Sequence, residues 1–229
     1  MESYERDFMN ISDFKNVKVI DASDVLDINK QFEYHECISQ ANRDGLFVEL
    51  GVYFGRSISY MAENNPDLHF YGFDTFEGLD LVWDIGSKKI DMKKFHVTDP
   101  DNIDTNTGLP KVPSNVTLTK GLFEDTLEPW LNKIEGNISF LNMDPDIYSA
   151  AIYALETLND RIVPGTIIRF DELTDWRDVG YSNKRGLSVY TTWREGEWKA
   201  LNEWLKKYNR VVQPLWRNWH QAAGVKVIK

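Results

Sequence analysis

Short apolar runs alternate with segments of helical periodicity along most of this chain. We predict buried strands at residues 46–50, 68–74, 116–120, 138–144 and 166–170, where each short apolar run ends at glycine or an acidic residue. Apolar residues at intervals of three or four predict helices at 56–63, 124–133 and 149–159, the last capped by Ser149. Strands that alternate with helices form parallel sheets. The pattern therefore predicts a doubly wound, Rossmann-like α/β fold.

The two ends of the chain break this alternation. Near the N-terminus, residues 17–20 predict a short edge strand and residues 22–42 a helix, within a helical segment of about residues 1–44. Near the C-terminus, a predicted helix at about 195–208 precedes an antiparallel hairpin of residues 211–215 and 224–228. With that hairpin, we expect a mostly parallel sheet of seven strands. A length of 229 residues suits a single domain over residues 1–229.

One long segment has little periodicity of either kind. Residues 79–115 are rich in charge, glycine and proline. So long an irregular stretch inside a compact domain is usually a functional lid or a disordered loop. We expect a mobile lid at about residues 81–113, with surface disorder as the alternative.

A glycine turn follows the first of these strands and opens a helix. Gly51 and Gly55 leave backbone N–H groups and the positive end of a helix dipole beside the sheet edge, where a small polar cofactor can approach. The spacing is not the dinucleotide fingerprint, because Tyr53 stands where its second glycine belongs. The alternative is a crossover turn that binds nothing. If the turn binds a cofactor, we expect the pocket to be lined by Glu49, Gly51, Ser57, Gly121 and Phe123.

Acidic residues close several of the predicted strands, and the carboxyl ends of parallel strands share one edge of a sheet. Asp74 ends the second strand, where an acid is placed to accept hydrogen bonds from ribose hydroxyls. Six acids meeting at one crevice would repel one another unless a cation is present. All-oxygen ligands favour Mg²⁺ or Ca²⁺ over zinc. The alternative is that these acids cap helices or face solvent; the set comprises Glu49, Asp74, Asp144, Asp146, Asp171 and Glu172.

Composition narrows the classes of partner. The formal net charge is −10, and no Lys/Arg run exceeds two residues, so a nucleic acid is a poor candidate. No apolar run approaches 18 residues, so we expect no membrane partner and a cytoplasmic protein. Cys37 is the single cysteine, which excludes an internal disulfide and a cysteine-rich zinc site.

Five motifs in order resemble those of the macrocin-type O-methyltransferases, class I S-adenosylmethionine enzymes related to sugar-modifying methyltransferases of antibiotic pathways. They lie at residues 47–57, 71–79, 120–127, 142–149 and 170–172. Five motifs in the right order are far more specific than any one alone. The resemblance covers about residues 40–205. It implies a class I methyltransferase domain that binds S-adenosylmethionine and Mg²⁺ and methylates a hydroxyl group, and related enzymes are often homodimers.

The resemblance also assigns roles to individual acids. In that family, the first aspartate of a pair and two acids after the fifth strand hold Mg²⁺; here these are Asp144, Asp171 and Glu172. The second aspartate of the pair is the family's proposed general base, and it corresponds to Asp146. Two positions depart from the family pattern: Pro145 stands where glycine is common, and Glu172 where many members have aspartate.

A sulfonium cofactor also suits an acidic crevice with aromatic walls. Tyr53 is a candidate face for that cation. We expect Asp144 to contribute to cofactor binding as well as to the metal site. The acceptor would be a hydroxyl of a sugar or another small polar, natural-product-like molecule. Two alternatives stay open: a catalytically silent cofactor-fold module and, less favoured by the missing glycine, an NAD(P)-dependent oxidoreductase.

Overall fold

Twelve strands are present in the computed structural model, which describes residues 8–20, 32–99, 101–175, 177–178 and 190–229. In chain order they are β1 (Lys18–Ile20), β2 (Leu46–Leu50), β3 (Phe70–Asp74), β4 (Val82–Asp84), β5 (Lys89–Asp91), β6 (Ile103–Asp104), β7 (Leu109–Pro110), β8 (Val116–Lys120), β9 (Ile138–Met143), β10 (Ile162–Phe170), β11 (Val212–Asn218) and β12 (Ala223–Val227). The helices are α1 (Phe32–Gln40), α2 (Arg56–Glu63), α3 (Phe123–Leu131), α4 (Tyr148–Thr157) and α5 (Glu197–Tyr208).

The central sheet has the order β1-β11-β12-β10-β9-β2-β3-β8. Only β12 runs against the others: it pairs antiparallel with both β10 and β11. The predicted Rossmann-like, mostly parallel α/β sheet with a C-terminal antiparallel hairpin is therefore confirmed. The sheet has eight strands where seven were expected, because β1 extends it at the edge by pairing in parallel with β11. The short edge strand was predicted at residues 17–20, but the expected total of seven strands did not include it.

Helices cover both faces of the sheet. Because side chains alternate along a strand, neighbouring residues enter different cores. Phe47 of β2 packs in a cluster with residues of α1 and α2, whereas Val48 packs with residues of α3, α4 and α5. The same alternation places Glu49 on the α1–α2 face. Residues two positions apart in a strand share a face, so a polar side chain two residues after Phe47, Phe140 or Ile167 also lies on the α1–α2 face.

The helix boundaries differ in detail from those predicted. The helix expected at 22–42 is α1 over Phe32–Gln40, and residues 22–31 of that prediction lie outside the described residues. The prediction that Ser149 caps α4 is wrong, because Ile147 occupies the N-cap and makes no side-chain capping bond. In the described part of the chain, no helix is long and apolar enough to cross a membrane.

The segment expected to be irregular contains two small hairpins, β4–β5 and β6–β7. A 3₁₀-helix over Met92–Phe95 follows the first of them. That hairpin contacts the chain before α5: the Thr191 amide donates to the Ile85 carbonyl at 2.9 Å, and the Thr192 hydroxyl donates to the Asp84 carbonyl at 2.7 Å. These two hydrogen bonds attach the β4–β5 hairpin to the chain that precedes α5.

Candidate active site

A cavity of about 650 Å³ lies at the carboxyl ends of β2, β3, β8, β9 and β10. Its size lies within the range typical of small-molecule sites. Its wall includes ten of the eleven residues that the sequence singled out: Gly51, Tyr53, Ser57, Asp74, Gly121, Phe123, Asp144, Asp146, Asp171 and Glu172. The eleventh, Glu49, lies behind the wall and is fully buried.

The turn after β2 requires glycine. Gly51 has φ of +87°, and a Cβ at this position would lie 1.9 Å from the Asp144 carbonyl oxygen. The Gly51 amide also donates to the Phe73 carbonyl at 2.9 Å. The turn is therefore wedged between the ends of β3 and β9, and any larger residue would collide with the backbone at the end of β9.

Asp74 is held by the backbone of the same turn. Its Oδ2 accepts hydrogen bonds from the Val52 and Tyr53 amides, each at 2.8 Å, and its Oδ1 accepts one from the Phe76 amide at 2.7 Å. A carboxylate offers about four acceptor positions. Asp74 is therefore oriented by three amides and still lies on the cavity wall, where it can accept a further donor.

Aromatic rings form one side of the cavity. The Tyr53 ring lies 4.0 Å from the Phe54 ring and meets the edge of Phe95 at 5.3 Å, measured between centroids. Tyr53 has φ of +50°, a conformation that tyrosine rarely adopts. Sequence reasoning missed Phe95, because it lies in a 3₁₀-helix of the segment without periodicity.

Glu49 supports this wall from beneath. Its Oε1 accepts hydrogen bonds from the Ser57 hydroxyl at 2.5 Å and from the Asn142 side-chain amide at 2.7 Å. Burial raises the pKa of Glu49 to about 7, although both hydrogen bonds act to lower it. Glu49 and Ser57 were both expected to line one pocket; in the structure Ser57 reaches the cavity, whereas Glu49 lies behind it.

Three carboxylates converge at the ends of β9 and β10. One oxygen each from Asp144, Asp171 and Glu172 lies within 4.8 Å of the others. Burial, followed by the charge of Asp171, raises the pKa values of Asp144 and Glu172 well above their usual range. Burial would also raise the pKa of Asp171, but the Arg169 guanidinium offsets that effect and holds it below its usual value.

Asp146 follows this cluster in a strained turn. Its φ is +64°, and the Ile147 amide donates to the Pro145 carbonyl across it at 2.7 Å. A three-residue turn with positive φ at its centre is rare and costs energy. Burial and the charge of Asp171 raise the pKa of Asp146 to about 7. A carboxylate with a pKa in this range can both accept and release a proton near neutral pH.

Sequence reasoning missed Arg169 and Glu197. Arg169 is 1% exposed and donates to Asp171 at 2.5 Å and to the Asn142 side-chain oxygen at 2.9 Å. Its signal was a charged residue inside an otherwise apolar strand. Glu197, the first residue of α5, is fully buried and accepts a hydrogen bond from the Glu172 amide at 2.9 Å. Its sequence signal was weak, because an acid at a helix start usually faces solvent.

The acidic side fits a cation. Among the described residues, Glu172 Oε2 and Glu197 Oε1 are buried oxygens without a hydrogen-bond partner. Unpaired buried carboxylates are costly. The three converging groups offer only oxygen ligands, as Mg²⁺ and Ca²⁺ prefer. The opposite wall, with its close-approach glycine and aromatic rings, fits a small cationic cofactor.

The sequence profile of the family described as macrocin-O-methyltransferase (TylF) matches residues 28–185, well over half of the chain. The chain belongs to this family. It is an S-adenosylmethionine-dependent O-methyltransferase, and the resemblance carried by the five motifs is confirmed. This macrocin-O-methyltransferase family member is thus an enzyme and not a catalytically silent module. The alternative of an NAD(P)-dependent oxidoreductase is ruled out as well. No curated protein sequence matches the chain.

Solved structures of methyltransferases share the fold of this family member. The calicheamicin methyltransferase CalS11 matches with a TM-score of 0.59 at 19% identity, covering 90% of this chain and 80% of that one. The O-methyltransferase NovP matches with a TM-score of 0.55 at 17% identity, covering 86% and 78%. The mycinamycin-pathway methyltransferase MycE, in complex with Mg and S-adenosylhomocysteine, has a TM-score of 0.51 at 14% identity, covering 86% of this chain and 49% of that one.

Proposed function

We propose that this enzyme transfers the methyl group of S-adenosylmethionine to a hydroxyl of a sugar or another small polar, natural-product-like molecule, with the help of Mg²⁺. One observation carries the proposal: three carboxylates converge within 4.8 Å on the wall of a cavity that also contains a glycine turn and an aromatic face. An in-line transfer requires two substrates to be held together, and this cavity has two chemically distinct sides for them.

The cofactor would occupy the side built from the ends of β2, β3 and β8. Asp74 would accept hydrogen bonds from its ribose, and Tyr53 would present a ring to its sulfonium. Ser57 and Asp144 would contact its polar groups. The remaining members of the proposed set are Glu49, which acts from beneath Ser57, and Gly51, Gly121 and Phe123 on the wall.

Asp144, Asp171 and Glu172 would hold Mg²⁺. When bound, the ion would neutralise the cluster and make an acceptor hydroxyl easier to deprotonate. The Arg169 ion pair occupies one oxygen of Asp171, which leaves its other oxygen for this role. MycE is a member of this fold class whose structure contains Mg, which supports the choice of ion.

Asp146 would act as the general base. It adjoins the cluster of Asp144, Asp171 and Glu172 but is not part of it, and from its position on the wall its carboxylate would reach an acceptor. Its pKa near 7 suits proton transfer at neutral pH. Residues 81–113 would close over the substrates, because Leu81, Met92 and Phe95 of this segment already line the cavity. Closure would exclude water from the transfer.

A sugar acceptor is supported by the related structures. A second CalS11 structure is described as a TDP-rhamnose 3'-O-methyltransferase, and it matches with a TM-score of 0.55. We extend to this enzyme only the class of acceptor, a hydroxyl on a small polar molecule. A cytoplasmic location, a homodimer and the absence of a nucleic-acid or membrane partner stay predictions.

Ligand binding tests this proposal directly. Thermal shift and calorimetry should show binding of S-adenosylmethionine and not of NAD, and separately binding of Mg²⁺. Asp144→Asn should weaken Mg²⁺ binding by roughly tenfold or more, since even the outer partners of metal ligands contribute about 10–100-fold. Asp160→Asn, at an exposed acid far from the cavity, is the matched control. Stabilisation by NAD alone, or no Mg²⁺ binding by calorimetry, would contradict the corresponding half of the proposal.

A further inference from the structure

A row of buried polar side chains crosses the sheet at the floor of the cavity, and Arg169 at one end of the row also lines the cavity. Glu49 of β2 pairs in register with Asn142 of β9, and Asn142 pairs in register with Arg169 of β10. All three are at most 1% exposed, and all three lie on the face covered by α1 and α2. Each lies two residues before a residue of the cavity wall: Gly51, Asp144 and Asp171.

The hydrogen bonds along this row have a defined direction. Arg169 has only donors, so the Asn142 side-chain oxygen must face it, at 2.9 Å. The Asn142 amide nitrogen must then face Glu49, at 2.7 Å. Glu49 Oε1 also accepts from the Ser57 hydroxyl at 2.5 Å. The chain of contacts therefore begins at a fixed cation and ends at a serine on the cofactor side of the cavity.

Stability alone does not explain this row. Removing an arginine and a glutamate from water is costly, and apolar residues of similar volume are often at least as stable. Arg169 is additionally fixed by the Tyr34 ring, 4.4 Å from its guanidinium carbon, and by Glu33 at 3.5 Å. A cation held on several sides is a firm anchor, because its donors point in fixed directions.

We propose that Arg169, acting through Asn142, is the positioning residue for Glu49 and Ser57, and that this relay sets the cofactor affinity of the site. The inference rests on the proposed use of the Ser57 side of the cavity by S-adenosylmethionine. Arg169 and Asn142 do not touch the cofactor in this scheme. They orient the buried carboxylate that in turn fixes the serine hydroxyl.

Asn142→Leu breaks the relay and leaves the Arg169–Asp171 ion pair in place. Calorimetry with S-adenosylhomocysteine should show a loss of about tenfold in affinity, the typical effect of losing a hydrogen bond to a charged group. The affinity for Mg²⁺ should not change. An equal loss of both affinities would overturn the proposal, because it would indicate general damage to the strand ends.

Asn159→Leu is the matched control. Asn159 is also a buried asparagine that accepts from an arginine, Arg210, and donates to an acid, Asp160, but it lies away from the cavity. The control should lose thermal stability and keep its affinity for S-adenosylhomocysteine. A loss of affinity as large as that of Asn142→Leu would overturn the assignment.

A charge exchange provides a rescue and keeps the proposal testable if Asn142→Leu does not fold. Asn142→Asp alone places a second carboxylate against Glu49 and should weaken S-adenosylhomocysteine binding. Adding Glu49→Gln restores a hydrogen bond between an amide and a carboxylate, but now the amide is at position 49 and the carboxylate at position 142, next to Arg169. The double variant should recover most of the affinity. A double variant that binds no better than Asn142→Asp overturns the relay. If the wild type binds no S-adenosylhomocysteine at all, the proposed function fails first, and the relay with it.

Discussion

The two sides of the cavity are built from the same kind of strand end but satisfy their polar groups in different ways. On the cofactor side, the Asp74 carboxylate already accepts three backbone amides, and Gly51 packs against the neighbouring strand. On the acidic side, carboxylates converge without enough donors, and oxygens of Glu172 and Glu197 have no partner among the described residues. The turn that holds Asp74 is thus already ordered by backbone hydrogen bonds, whereas the converging carboxylates fit the cation proposed above.

The largest expected effect comes from Asp146, which lies beside the acidic side without belonging to its cluster. Asp146→Asn should lower kcat by about 10²–10⁴-fold, as removal of a general base does, and should preserve Mg²⁺ and cofactor binding. Enzyme assays with an identified hydroxyl acceptor measure kcat, and calorimetry measures the binding of Mg²⁺ and cofactor. Asp160→Asn serves as the control. An unchanged kcat in Asp146→Asn would show that the strained aspartate is not the base.

The pH dependence of stability tests whether the acidic side is incomplete without a metal. Burial raises the pKa values of Glu49 and Asp146 to about 7, and it raises those of Asp144, Glu172 and Glu197 as well. From about pH 4 to 7, Glu49 and Asp146 therefore hold protons in the folded protein that the unfolded chain has already released. In EDTA, the free energy of unfolding should fall as pH rises through this window.

Mg²⁺ sharpens that measurement, because a cation stabilises the ionised carboxylates. Denaturant unfolding at pH 5 to 8 should show a shallower fall in stability with Mg²⁺ than with EDTA. Glu49→Gln should flatten part of the profile under both conditions, since Glu49 lies behind the cavity wall. Asp171 acts in the opposite sense: its lowered pKa gives stability that is lost only under more acidic conditions. A metal-free protein that becomes more stable from pH 5 to 8 would contradict the comparison.

A smaller effect is expected on the cofactor side, since the turn that holds Asp74 is already ordered by backbone hydrogen bonds. Asp74→Asn keeps one acceptor oxygen for the turn but loses charge and one acceptor position facing the cavity. We expect about a tenfold loss in affinity for S-adenosylhomocysteine with a modest loss of stability. Asp104→Asn is the control, because Asp104 also accepts a backbone amide, from Asn106 at 2.9 Å, outside the cavity. Unchanged affinity by calorimetry would place the ribose elsewhere.

The smallest effect concerns the segment that links the two sides. Trypsin should cleave at lysines within residues 81–113 several times more slowly when S-adenosylhomocysteine and Mg²⁺ are both bound, if the segment closes over them. Lys133, in the exposed turn after α3, provides an internal reference site. Equal rates with and without ligands would support a fixed surface loop, held by its contacts to Thr191 and Thr192.

Much of this architecture was predictable because local sequence carries it. The strands β2, β3, β8 and β9 appear close to their predicted bounds, since short apolar runs that end at glycine or an acid leave few alternatives. Parallel order then follows from the alternation with helices, and it brings strand-end residues such as Asp74, Asp144 and Asp171 to one edge. The sequence therefore determined many of the residues that surround the cavity and the family to which the enzyme belongs.

Only the tertiary structure decided where each of those residues lies relative to the cavity and which other residues it contacts. Nothing in the local pattern shows that Glu49 lies behind the wall, that Arg169 reaches both Asp171 and Asn142, or that Glu197 arrives from a helix 25 residues after Glu172. Such contacts depend on the register between strands and on the packing of distant helices, which short-range periodicity does not encode. Burial then sets the pKa values, because the same carboxyl group behaves differently behind the wall, within the cluster or beside it.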